Sequence, residues 1–75
     1  MLLPNKLFSY NESILCKFPV ILKELKKQPM GVHDLYQKVV KNLSGVNEYI
    51  DVLDCLYLLN RIDYDSDAEV LNYVD

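Results

Sequence analysis

The sequence has no tryptophan, two glycines and a single histidine. With Gly31 and Gly45 as its only glycines, it holds no glycine-rich loop that could cradle a phosphate. His33 lies beside Asp34, but nothing marks Ser9, Ser13, Ser44 or Ser66 as a nucleophile for them, and such a pair is ordinarily a surface feature. Cys16 and Cys55 stand inside apolar helical patterns, where a free thiol behaves as a small hydrophobe, and no Cys/His spacing of a zinc site occurs. No apolar run approaches the ~20 residues of a membrane span. The opening MLLPNKLF lacks the apolar core of a signal peptide, so the reading is a cytoplasmic chain. No catalytic, cofactor-binding or metal-binding set emerges, and the chain reads as a non-enzyme. One further scarcity is local: from Val46 to Asn60 there is neither lysine nor arginine.

What is present is apolar bulk. Of 75 residues, 51% are hydrophobic, which favours a folded chain of one small domain spanning residues 1–75. At this size the buried share of the surface is modest and stability is marginal. Net charge is −3, unevenly spread. Residues 1–43 carry seven lysines against Glu12, Glu24 and Asp34, and residues 44–75 carry Arg61 against eight acids. That polarity suits an oriented partner better than a diffuse nucleic-acid surface, although two ordinary solvated faces would also produce it.

Residues 1–10 show no helical period, and Pro4 biases Leu3 towards extended backbone. This predicts an N-terminal arm with Leu2, Leu3, Leu7 and Phe8 available for packing. Residues 11–60 predict three helices. The first, capped by Asn11 or Ser13, has an apolar face of Ile14, Leu15, Phe18, Ile21, Leu22 and Leu25. Lys23, Lys26 and Lys27 suit its C-terminal end. Pro19 predicts a kink or a division into two short helices, and Gln28 to Gly31 a stop. The second, about Val32 to Leu43, has Leu35, Tyr36, Val39, Val40 and Leu43 on its apolar face. Gly45 then offers a left-handed turn. The third runs from about Val46 to Asn60. Residues 61–75 predict a β-hairpin: Ile62 and Tyr64, then Val70 and Val74, alternate with polar residues around Asp65-Ser66-Asp67-Ala68. The expected fold is mainly α with a small hairpin, a winged helix-turn-helix arrangement. Asp63, Asp65 and Asp67 have the spacing of the first calcium ligands of an EF-hand, but Ala68 replaces the required glycine and Val74 the bidentate glutamate.

The third helix carries the functional question. In a winged helix it occupies the position of the DNA-reading helix, which needs Arg, Lys, Asn or Gln for bases and cations for phosphates. Here Asn47 stands among Glu48, Asp51 and Asp54, an acidic face, and the hairpin is acidic too. Specific DNA binding is therefore disfavoured, though lysines of the first two helices could meet phosphate in another pose. The same helix is apolar around most of its circumference, more than a core-facing stripe requires. Tyr49, Val52, Leu56 and Leu59 are read as a surplus available to a partner, and the competing reading is that the N-terminal arm covers them.

MLLPNKLFSYNESILCKFPVILKEL, together with VNEYIDVLDCLYLLNRI, resembles middle component 6 of bacterial ABC-three component systems over nearly the whole chain. The resemblance implies a cytoplasmic bacterial subunit that works with an SMC- or Rad50-like coiled-coil ABC ATPase and an effector in antiviral or anti-plasmid defence. No active-site residues carry over from it. The resulting expectation is an adaptor acting by protein–protein contact, with homo-oligomerisation left open. The alternative is a small winged-helix transcriptional regulator that binds DNA.

Overall fold

The computed structural model describes the backbone from residue 4 and the side chains from residue 10. Helix α1 spans Pro4–Lys27, α2 Val32–Val39 and α3 Val46–Leu58, and the strands are β1 (Ile62–Asp65) and β2 (Val70–Tyr73). Three helices followed by an antiparallel hairpin is the expected winged-helix-like arrangement.

The N-terminal arm is the first correction. Residues 4–10 are the opening turns of α1, so neither Asn11 nor Ser13 is a cap. Proline suits the first helical position: its fixed φ fits, and its missing N–H would have no partner there. Residues 1–3, with Leu2 and Leu3, lie outside the described residues, as do the side chains of Leu7 and Phe8. Pro19 does not divide the helix, which runs through it to Lys27. Both Pro19 and Leu15 are exposed, so the carbonyl that loses its donor has access to water on that side.

The second helix is shorter than its apolar pattern, because Val40–Asn42 tightens into a 3-10 turn closed by Leu43 N–H on the Val40 carbonyl. Gly45, expected to be left-handed, is extended at φ 165° and serves as the N-cap of α3. The left-handed residues are Glu69, at φ 57° before β2, and Asn60, at φ 60° just past α3. There the Asn60 N–H bonds to Tyr57 O and the Arg61 N–H to Leu56 O, the paired closure of a Schellman turn.

In the hairpin Ile62 faces Tyr73 and Asp65 faces Val70. Asp65 Oδ1 accepts the N–H groups of Asp67 and Ala68, which closes the tip. Met30, in the connection between α1 and α2, bridges Leu71 through two backbone bonds of 3.2 and 2.7 Å. It adds a third, one-residue rung to the sheet, where the sequence suggested only a helix stop.

The core draws on every element: Ile14, Ile21 and Leu25 of α1, Met30, Leu35 and Val39 around α2, Tyr49, Val52 and Leu56 of α3, and Ile62 and Leu71 of the hairpin. Each fully buried aliphatic chain among them contributes roughly 1.5–3 kcal/mol relative to exposure. Leu15, expected on the apolar face of α1, is 58% exposed, and Cys16 is exposed as well. No helix among the described residues is long and apolar enough to cross a membrane.

Candidate docking surface

The third helix has three faces, and the sequence distinguished only two. The acids come first. Glu48, one turn into α3, is buried at 5% exposure. Its Oε1 accepts the Ser44 backbone N–H at 3.0 Å and its Oε2 the Ser13 hydroxyl of α1 at 2.8 Å. The first bond resembles a capping box shifted one residue upstream, and a negative charge in the first turn complements the helix dipole. The Ser44 N–H holds the Glu48 carboxyl below the usual carboxylate range. Burial opposes this, and the Ser13 hydroxyl and Lys17 reinforce it. One turn on, Asp51 accepts a hydrogen bond from the Tyr10 hydroxyl, which raises the pKa of that phenol. Asp54 is exposed. Two of the three acids expected to form an outer face are therefore clasps that hold α1 across α3.

The predicted partner residues need a larger correction. Tyr49, Val52 and Leu56 are 2%, 0% and 0% exposed, and only Leu59 lies on the surface. Their side of α3 faces the chain's own core. Tyr49 settles it: its hydroxyl donates to Val32 O at 2.6 Å and its ring lies 4.9 Å from that of Tyr36, tying α3 to α2. Burial pushes the Tyr49 phenol up to about 12. Among the described residues, the packing on α3 comes from α1 and β1, and from α2 through Val32 and Tyr36.

The surplus apolar surface exists, but it is elsewhere. Val46, Ile50 and Tyr57 are each about half exposed, with half-buried Leu53 between them. At 100° per residue these four fall within an arc of about 60°, roughly a quarter turn from the core side. Val46 and Ile50 share an open groove of about 340 Å³ with Val32, His33 and Tyr36 of α2. On the opposite flank, α1 and α3 enclose a groove of about 410 Å³ floored by Ile14, Leu15, Phe18 and Cys55 and edged by Asp51 and Asp54. At the C-terminal end of α3, Leu58 and Leu59 are 82% and 59% exposed. The signal for Val46, Ile50, Leu53 and Tyr57 was in the sequence as a spacing of four, three and four. It was masked because Tyr49, Val52 and Leu56 offer an equally good helical spacing.

This outward side is the one a winged helix turns to a DNA groove. It presents aliphatic and aromatic side chains with Asn47 and Asp54 and no cation, a poor match for phosphate or base edges. Among the described residues no group of His, Cys, Asp or Glu side chains could hold a metal ion. His33 and Asp34 are exposed at the start of α2.

The family model for Middle Component 7 of the ABC-three component (ABC-3C) system matches residues 3–71. The system is the one the sequence suggested and the component is a different one. The two quoted stretches are an amphipathic helix and a strongly apolar helix, patterns that do not separate one small helical subunit from another. Neither the curated proteins nor the solved structures yield a match.

Proposed function

The chain belongs to the ABC-three component system Middle Component 7 family, and on that premise we propose that it is a non-enzymatic docking subunit. It would join an SMC- or Rad50-like ABC ATPase to an effector by protein–protein contact, in a system that defends a bacterial cell against phage or plasmids. The observation that carries this reading is the outward side of α3: apolar at Val46, Ile50 and Tyr57, acidic at Asp54, and free of cations from Val46 to Asn60. Exposed apolar side chains grouped on one side of a helix mark an interaction surface. Asn47 with Asp54 beside them favours a polypeptide over a polyanion.

Co-expression of the subunit with the ATPase and effector of its own system, followed by size-exclusion chromatography, tests the proposal. The subunit should elute with at least one of them. Elution of the subunit alone in every combination would refute it. DNA regulation is the competing outcome, favoured by the lysines Lys23, Lys26 and Lys27 exposed at the end of α1. It would appear as tight DNA binding that weakens steeply with salt. The docking reading expects no specific DNA binding at physiological salt.

A further inference from the structure

Resting on the docking reading, we propose that the stripe Val46–Ile50–Leu53–Tyr57 is the seat for one amphipathic helix of the partner, whose apolar seam is flanked by lysine or arginine. The spacing of four, three and four is that of the apolar seam of a left-handed coiled coil, and the four residues cover about 17 Å of helix axis. A helix carrying apolar residues at the same interval stays in register along that length, whereas a strand, with its period of two, does not. Val32, on the α2 side of the groove, is 43% exposed and extends the apolar floor beyond α3 itself.

Charge selects the occupant. The border of the stripe towards α1 carries Asn47, Asp51 and Asp54, and α3 contains no lysine or arginine. Asp51 is hydrogen-bonded to Tyr10, and among the described residues no cation pairs with it. A second copy of this chain laid antiparallel on the stripe would bring its own acids to the same border, and one laid parallel would meet that border with its α2 side, where Val32, His33 and Tyr36 supply no lysine or arginine. A helix with basic flanking positions gains opposite-charge contacts instead, and those contacts fix its direction and register.

Binding of designed helical peptides to the intact chain tests this, read by amide chemical shifts and by fluorescence anisotropy. One peptide carries leucines in the seam with lysines on both flanks, and its twin carries glutamates on the flanks. The lysine-flanked peptide should shift amides along Val46–Tyr57 and bind at least about tenfold more tightly than its twin. Ile50→Lys and Tyr57→Lys should each weaken that binding by about tenfold or more without moving the melting temperature, because both side chains are about half exposed. Equal binding of the two peptides, shifts confined to the α1–α3 groove, or a homodimer that Ile50→Lys dissociates would each overturn the inference. A complex with the ATPase or effector that survives Ile50→Lys also overturns it, while leaving the docking reading intact. Peptide binding on the stripe without any complex would do the reverse.

Discussion

Replacing Glu48 with alanine removes an acid from the position where a DNA-reading helix would be expected to gain from losing it, and the fold should suffer for it. Glu48 accepts from Ser44 N–H and from the Ser13 hydroxyl, and both donors lose their partner in Glu48→Ala. Hydrogen bonds to a charged group are worth about 1.5–3 kcal/mol each, and the net loss of two that share one carboxylate, with water partly replacing it at Ser44, is about 2–3 kcal/mol. A 75-residue domain has roughly 4–11 kcal/mol in total. At ~4–8 °C per kcal/mol, the melting temperature should fall by about 10–20 °C. Glu48→Gln keeps one acceptor oxygen and should lose only about 1 kcal/mol. The pH dependence is a second readout. Because the folded carboxyl titrates below its ordinary value of 4.5, its contribution is complete above that value and is lost as pH falls through the lower, folded one. Thermal melts followed by circular dichroism at neutral and at acid pH should therefore show a smaller acid-induced loss in Glu48→Gln than in the wild type. An alanine variant that melts within about 2 °C of wild type would refute the reasoning, as would an unchanged acid loss in the glutamine variant.

Other outcomes are expected from the same geometry. Tyr49→Phe should cost about 1 kcal/mol through the lost bond to Val32 O. In the wild type the contribution of the Tyr49 phenol is full below its ordinary value of 10.0 and is lost as pH rises towards about 12, which a phenolate absorbance titration alongside unfolding would follow. Gly45→Ala should be neutral or stabilising by up to ~1 kcal/mol in urea denaturation, since its backbone is extended and nothing lies within 4 Å of an added Cβ. Asn60→Val, at a left-handed position, should lose about 1–2 kcal/mol in the same assay. Leu56→Ala should lose about 2–5 kcal/mol from the closed core, whereas Leu58→Ser, two residues on and 82% exposed, should stay within about 0.5 kcal/mol of wild type.

The helices of this chain were legible because their apolar residues recur at three and four. That period alone placed Leu35 and Val39 on the inner side of α2 and Ile14, Ile21 and Leu25 on that of α1. The hairpin was legible from alternation around an aspartate-rich turn. What the period could not resolve was α3. A helix apolar around most of its circumference has two stripes of equal quality, and only the neighbours determine which is inside. Tyr49 is drawn inwards by Tyr36 and the Val32 carbonyl, groups distant in sequence, so the sequence alone assigned the core stripe to the partner. Glu48 misled for the same reason: an acid in a helix reads as solvent-facing until the Ser13 hydroxyl, 35 residues away, is known to meet it. Pro4 failed differently, since a proline that ends one element equally well begins another, and only the N-terminal context decides.

The short bridge from Met30 to Leu71 sets the order in which the molecule can come into being. Met30, in the stretch between the first two helices, has its backbone N–H and carbonyl paired with Leu71 of the last strand, so that end of the core closes only when residues 70–73 are in place. Pairing of positions so far apart in the chain must overcome loop-closure entropy before any contact repays it, which defers folding to a late, concerted step. A fragment that stops before Leu71 thus leaves Met30 without its backbone partner and the core without Leu71.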